Sequence, residues 1–229
     1  MSANDVPPPY TAVERHGMFP DVRHDDAARF NFLAGLNRYL SGAVGAGNKL
    51  AYDRRVLPAF RAEHGRDPAD RHEVRRAMNA DSWHRFWSAC KRNSMEMRQQ
   101  AGRALVLRQL DDLDARARSY NEGANTLQLD PAVAVPRYQA AVDIHCMPGS
   151  YHGEERPGDV SAGANYDCGI FATTGGALGA LNDGGGAAVA AWARAERPGW
   201  QPRRILDIGC TVGHNVVPIA RAFPDAEVI

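Results

Sequence analysis

The sequence predicts an α/β protein in two parts: a mostly helical N-terminal domain, then the opening strand, helix and second strand of a parallel sheet. Three observations predict it. Apolar side chains recur at helical spacing between Phe30 and Leu105, with capping residues where the pattern begins. A β-prone run, Ile205-Leu206-Asp207-Ile208, meets a glycine turn and then a helix-compatible stretch. Between them the composition changes, from a net +5 over residues 1–120, rich in arginine and aromatics, to a net −5 over 121–229, rich in glycine and alanine.

The elements follow in order. Residues 1–24 are polar and proline-rich and read as disordered or extended. Asp25 or Asp26 can cap a helix carrying Phe30, Leu33, Leu36 and Leu40, and Gly42 ends it in a glycine-rich turn over Ser41–Asn48. A second helix presents Leu50, Val56, Leu57 and Phe60, with a kink or restart at Pro58 and a stop at Gly65. Asp67-Pro68 reads as an N-cap and first helical position, opening a third helix to Met78. Asp81 caps a long helix towards Tyr120, with a stripe from Trp83 through Phe86, Trp87 and Cys90 to Met97, Ala101, Ala104 and Leu105 and a possible kink at Asn93-Ser94. An aromatic stripe at this spacing reads as core before it reads as a ligand pocket.

Thr126–Leu129 and Ala132–Val135 are short β-prone runs, and Tyr138–Ile144 reads as helical. His145–Gly186 is heavy in glycine and small polar residues and reads as a long functional loop. Ala187–Glu196 is an alanine-rich helix stopped by Arg197-Pro198-Gly199. The domain boundaries expected are 1–24, 25–165 for the helical domain, and 166–229 for the beginning of the sheet domain.

The bulk properties exclude several classes. With 27 basic and 27 acidic residues among 229, the chain lacks the positive field of a nucleic-acid binder. No stretch approaches the roughly 18 apolar residues of a membrane span, and the N-terminus has no apolar signal region. Cys90, Cys146, Cys168 and Cys210 are far apart without a C-x-x-C pair, which fits a reduced, cytoplasmic chain. The charge asymmetry reads first as solvated helices laced with ion pairs.

One stretch carries chemistry: Ile205-Leu206-Asp207-Ile208-Gly209-Cys210-Thr211-Val212-Gly213-His214-Asn215, followed by the helical VVPIARAF and by AEVI as a second strand. A dinucleotide fingerprint needs G-x-G-x-x-G, and Thr211 and His214 stand at its second and third glycine positions, so that reading fails twice. An acid two residues before the first glycine suits a ligand bearing an ammonium group better than a pyrophosphate.

At these residues the chain resembles the class I S-adenosylmethionine-dependent methyltransferases, whose first motif is D/E-x-G-x-G-x-G after an apolar strand. The resemblance rests on ILDIGCTVG and PDAEVI, about the last 27 residues, and Thr211 replaces the middle glycine. It implies a Rossmann-like seven-stranded sheet, S-adenosyl-L-methionine as cofactor, and Asp207, Gly209, Cys210, Thr211 and Gly213 around its methionine part. It also implies that the 229 residues are the N-terminal portion of a longer enzyme and carry half a cofactor site.

On that reading the intact protein methylates an unidentified small-molecule acceptor, with no nucleic-acid or membrane partner and with N-terminal helices available for a homodimer. The alternatives are a non-catalytic helical interaction module and another α/β nucleotide-binding enzyme. An oxygen or nitrogen acceptor needs its proton removed, which makes His145 and His152 candidate bases, against the plainer reading of hydrogen-bonded loop histidines. A zinc site from His145, Cys146, His152 and Cys168 has poor ligand spacing, so no metal is expected. His214 at the helix N-terminus can face a carboxylate or solvent.

Overall fold

The computed structural model describes residues 8–122, 130, 132–147 and 149–229. The glycine-rich segment expected to turn the chain at 41–48 instead carries a helix straight through. α1 (His24–Tyr39) runs through a π-turn at Leu40–Val44 into α2 (Gly45–Ala51), then through a second π-turn at Tyr52–Val56 into α3 (Leu57–His64). The wide turns are answered by tryptophans. Trp87 Nε1 donates to the Leu40 carbonyl at 2.8 Å and Trp83 Nε1 to the Val44 carbonyl at 3.2 Å, which holds the first π-turn against the next long helix. Gly47 serves that approach, since a Cβ there would lie 2.3 Å from the Trp83 ring. The second π-turn precedes Pro58, whose missing N–H the widened turn accommodates.

Several caps fall elsewhere than expected. α1 begins at His24, and Asp26, three residues into the capped end, accepts from the Arg23 backbone N–H at 2.9 Å. Asp70 rather than Asp67 caps α4 (Arg71–Met78), accepting from His72 and Glu73 N–H, while Asp67 pairs with Arg61. Asp81 caps α5 (Ser82–Leu107) through the Trp83 and His84 N–H groups.

The long helix breaks at Arg108-Gln109, not at Asn93-Ser94, and continues as α6 (Leu110–Asn121). Both residues at the break are tied to the N-terminal side: Arg108 pairs with buried Asp26 at 2.7 Å, and Gln109 exchanges two hydrogen bonds with the Asp21 backbone. The segment before α1 is part of the same packing. It forms a 3-10 turn at Tyr10–Ala12 and contributes Tyr10, Val13 and Phe19 to the core beside Phe30, Leu33, Leu105 and Leu113.

The largest departure within the helical part lies in 145–186. Its centre is α8 (Ser161–Thr174), a helix packed against both α1 and α5, with Cys168, Phe171 and Ala172 fully buried. The boundary expected at 165–166 falls inside it. Small residues favour a loop by local propensity, but here they set interhelical distance. A Cβ at Gly169 would lie 2.6 Å from the Arg98 guanidinium. Ser94 and Arg98 lie on the buried face of α5 with Ala101 and Leu105, so the inward stripe is partly polar. Met97 and Phe86, expected inward, are exposed. The Arg98 guanidinium donates to the carbonyls of Gly169 and Tyr166 and to Gln99 Oε1, so its buried charge is met by dipoles.

Of the short β-prone runs, 126–129 lies outside the described residues and Ala132–Val135 forms no strand. Tyr138–Ile144 holds only the last three residues of the four-residue α7 (Arg137–Ala140) and the start of a 3-10 turn.

The fold class expected from the sequence is overturned. The protein is 63 % helical and mostly an α structure. After α9 (Gly184–Glu196), the one sheet among the described residues pairs β1 (Arg204–Ile205) in parallel with β2 (Glu227–Val228), two residues each, with α10 (Val216–Ala222) between them. Among the described residues, no opening of a Rossmann-like seven-stranded sheet is shown. Residues 206 and 208, expected inside a buried strand, are 65 % and 88 % exposed, so the apolar run does not become a sheet core.

Two glycine substitutions separate packing from helix propensity. Gly169→Ala is expected to destabilise by about 1–3 kcal/mol, because the added methyl meets a buried, bonded guanidinium. Gly35→Ala, in α1 with open space around it, is expected to stabilise by about 0.5–1 kcal/mol. Urea denaturation followed by circular dichroism reads both, and equal effects would contradict the packing described for α8.

Candidate functional site

A pocket of about 700 Å³ opens where four parts of the chain meet: the N-terminal arm at His16, the segment around Tyr151–Asp159, α8, and the glycine turn ahead of α10. That volume suits a cofactor or a drug-sized molecule. Its chemistry centres on Asp167, whose side chain is 9 % exposed. Asp167 faces the pocket because α8 packs its opposite side, through Cys168 and Phe171, against the core.

Asp167 binds two imidazoles, one on each oxygen. His16 Nε2 lies 2.8 Å from Oδ2, and His214 Nε2 lies 2.8 Å from Oδ1. Burial alone would raise the Asp167 carboxyl, but the hydrogen bonds from His16 and His214 outweigh it and hold it below the usual carboxylate range. The Asp167 hydrogen bond raises His16 above its ordinary 6.5, against the opposing effect of burial. With both Nε2 atoms turned to the carboxylate, each neutral imidazole keeps its proton on Nε2 and leaves Nδ1 bare. His214 Nδ1 is buried and unpartnered; His16, with a half-exposed side chain, has no hydrogen bond on Nδ1 among the described residues.

The glycine turn forms the other wall. Gly209, Thr211 and Gly213 take φ of 79°, 54° and 90°, so the chain bends through three left-handed positions. Thr211, a β-branched residue, is strained there by about 1–2 kcal/mol. The Gly213 N–H closes a turn on the Cys210 carbonyl at 2.9 Å, and a Cβ on Gly213 would meet open space. Of the five residues expected around a cofactor, Gly213 lines the pocket, whereas Asp207, Gly209, Cys210 and Thr211 do not. Gly209, Cys210 and Thr211 are exposed. The Asp207 backbone N–H donates to Ile229, and its Oδ2 is buried without a partner.

Of the candidate bases, His152 lines the pocket and His145 lies outside it, bonded through Nδ1 to the Tyr151 hydroxyl. The residues weighed for zinc are not gathered. Cys168 is wholly buried beside Tyr10, its thiol pushed up by burial to about 12, and among the described residues no group of three or more His, Cys, Asp or Glu could hold a metal. Sequence reasoning missed His16; it placed Asp167 in the glycine-rich stretch beside the cofactor mouth but gave it no role. His16 sits in a polar arm and Asp167 in what reads as loop, 151 positions apart. Only His214 carried a signal, by following Gly213.

The described residues contain no helix long and apolar enough to cross a membrane.

The His16 pair makes a signed prediction. A raised His16 means the folded state holds its proton more tightly, so this stabilisation is fully present below about 6.5 and is lost as pH rises through the raised value. Asp167, held below 3.8, contributes above that value and loses its contribution as pH falls through the lowered one. The difference in urea stability between the parent protein and His16→Gln is therefore expected to be widest near pH 5 and narrower near pH 9, both values being approximate. A constant difference would show that His16 and Asp167 are not coupled.

No family model, curated protein or solved structure matches this chain.

Proposed function

We propose that the protein uses this pocket for methyl transfer from S-adenosyl-L-methionine to a small-molecule acceptor. One observation carries the reading: a buried carboxylate oxygen without a partner, Asp207 Oδ2, belongs to the same glycine turn that puts Gly213 into the pocket wall. Buried acceptors of this kind are normally satisfied, and each costs about 1–3 kcal/mol when left bare. An ammonium group seated on this turn would satisfy the Asp207 carboxylate. That supports placing the amino end of the cofactor at the acid of the D-x-G-x-x-x-G turn, whose Gly213 lines the pocket.

The glycines supply backbone rather than side chain. Gly213 lets a ligand approach the start of α10 without a Cβ between them, and Gly209, Cys210 and Thr211 shape the bend that carries it. The cofactor contributes an electrophilic sulfonium methyl. The protein has to hold an acceptor in line with it, exclude water and take a proton where the acceptor carries one. The apolar part of the pocket wall, including Val160, Leu181, Val212 and Val217, serves the first two tasks.

Isothermal calorimetry with S-adenosylhomocysteine tests the reading. Saturable one-site binding is expected, weakened about tenfold or more by Asp207→Asn, the loss of one charge-assisted hydrogen bond. Absence of binding at millimolar ligand, or equal binding by the variant, would overturn it.

A further inference from the structure

We infer that His16 is a general base for a neutral, hydroxyl-bearing aromatic acceptor, with Asp167 as its positioning residue and His214 as the second anchor of that carboxylate. For the fate of the deprotonated acceptor this rests on the methyl-transfer reading; the base site itself does not.

The geometry selects His16 among the pocket's histidines. Asp167 receives Nε2–H from both His16 and His214, so each ring points its bare Nδ1 away from the carboxylate. Only one of the two can meet a ligand from the open side. His214 Nδ1 is buried, and its ring is stacked with Tyr166 at 6.0 Å, whereas the His16 side chain is 44 % exposed and lines the pocket. A ring fixed by a buried carboxylate on one nitrogen, with the other facing a cavity, is built to accept a proton and to stabilise the resulting imidazolium. His152 also lines the pocket but has no orienting partner among the described hydrogen bonds.

The occupant's class follows from the walls. Tyr151 and His214 line the pocket, and Tyr166 packs between their rings, edge-on to Tyr151 at 5.8 Å and stacked on His214, so the lining is backed by an aromatic ring. Met18 and Leu181 also line the pocket. This favours a flat apolar ring. Glu154, Asp159 and Asp183 also line the pocket, with Arg221 as its lining guanidinium. Asp159 accepts from the backbone N–H groups of Glu155, Arg156 and Ser161; burial raises its carboxyl, but the Ser161 hydroxyl and those N–H groups outweigh it and lower it below the ordinary value. Carboxylates around the cavity repel an anionic occupant and admit a neutral one that becomes anionic only on proton transfer. In that step the O–H bond breaks, its electron pair stays on oxygen, and a new N–H bond forms at His16 Nδ1. The proton leaves to water when His16 is reset.

The probe is 4-nitrophenol, whose absorbance reports its own ionisation, added to the chain without cofactor. Saturable binding is expected, with the phenolate band appearing at a pH where the free probe is still neutral. The apparent ionisation constant of bound probe should shift at least tenfold. His16→Gln should abolish the shift while equilibrium dialysis still detects bound probe, and His72→Gln, on the surface of α4, should leave it intact. Long-range proton–nitrogen correlation spectra should show His16 as the Nε2–H tautomer, with that preference lost in Asp167→Asn. If Asp167→Asn does not fold, the His16 comparison decides alone. No saturable binding, binding wholly as neutral phenol, or an unchanged shift in His16→Gln would overturn the inference. Calorimetry with S-adenosylhomocysteine is independent of these outcomes, so failure of the base and failure of the cofactor reading are distinguishable.

Discussion

The close approach of α8 to α5 is the constraint on which the rest of the structure depends. It requires the absence of a side chain at Gly169, because the Arg98 guanidinium occupies the space a Cβ would need. Arg98 in turn bonds two carbonyls of α8, Tyr166 and Gly169, so the contact is both steric and polar. A buried guanidinium is costly in an apolar interior, and here carbonyl dipoles and Gln99 offset that cost. The face of α8 that meets α5 and α1 is settled by this arrangement, and the face left over carries Asp167.

Asp167 then links chain segments that are distant in sequence. Its two oxygens hold the N-terminal arm through His16 and the glycine turn through His214. The arm is anchored independently by Tyr10, whose hydroxyl donates to the Cys168 carbonyl at 2.8 Å and whose ring stacks on Phe30. The pocket is therefore a consequence of helix packing plus one carboxylate. Its walls come from segments that have no local reason to meet.

The sequence was legible where a local rule acts alone. Asp81 caps α5 because an acid before a helical run can satisfy two free N–H groups without help from elsewhere. Gly65 closes α3 in the left-handed conformation for an equally local reason. Legibility failed where a small residue has two uses. In 41–48 and 161–174, glycine and alanine read as turn or loop, yet they lie in helices, and at Gly47 and Gly169 a neighbouring side chain takes the space of the missing Cβ. The β-prone run at 205–208 failed differently: apolar character favours a strand only if other strands cover it, and here only two residues pair.

By itself, the sequence determined the helical character of the first half, the caps at Asp81 and Gly65, and the glycine turn at Gly209–Gly213, because backbone sterics and capping act over a few residues. The tertiary structure alone decided that the protein is mostly α, that α8 is core, and that His16, Asp167 and His214 share a pocket. Those outcomes turn on which surfaces meet. A carboxylate in a small-residue segment and a histidine in a polar arm carry no mark of each other until α8 is seated against α5 and the arm is drawn over it.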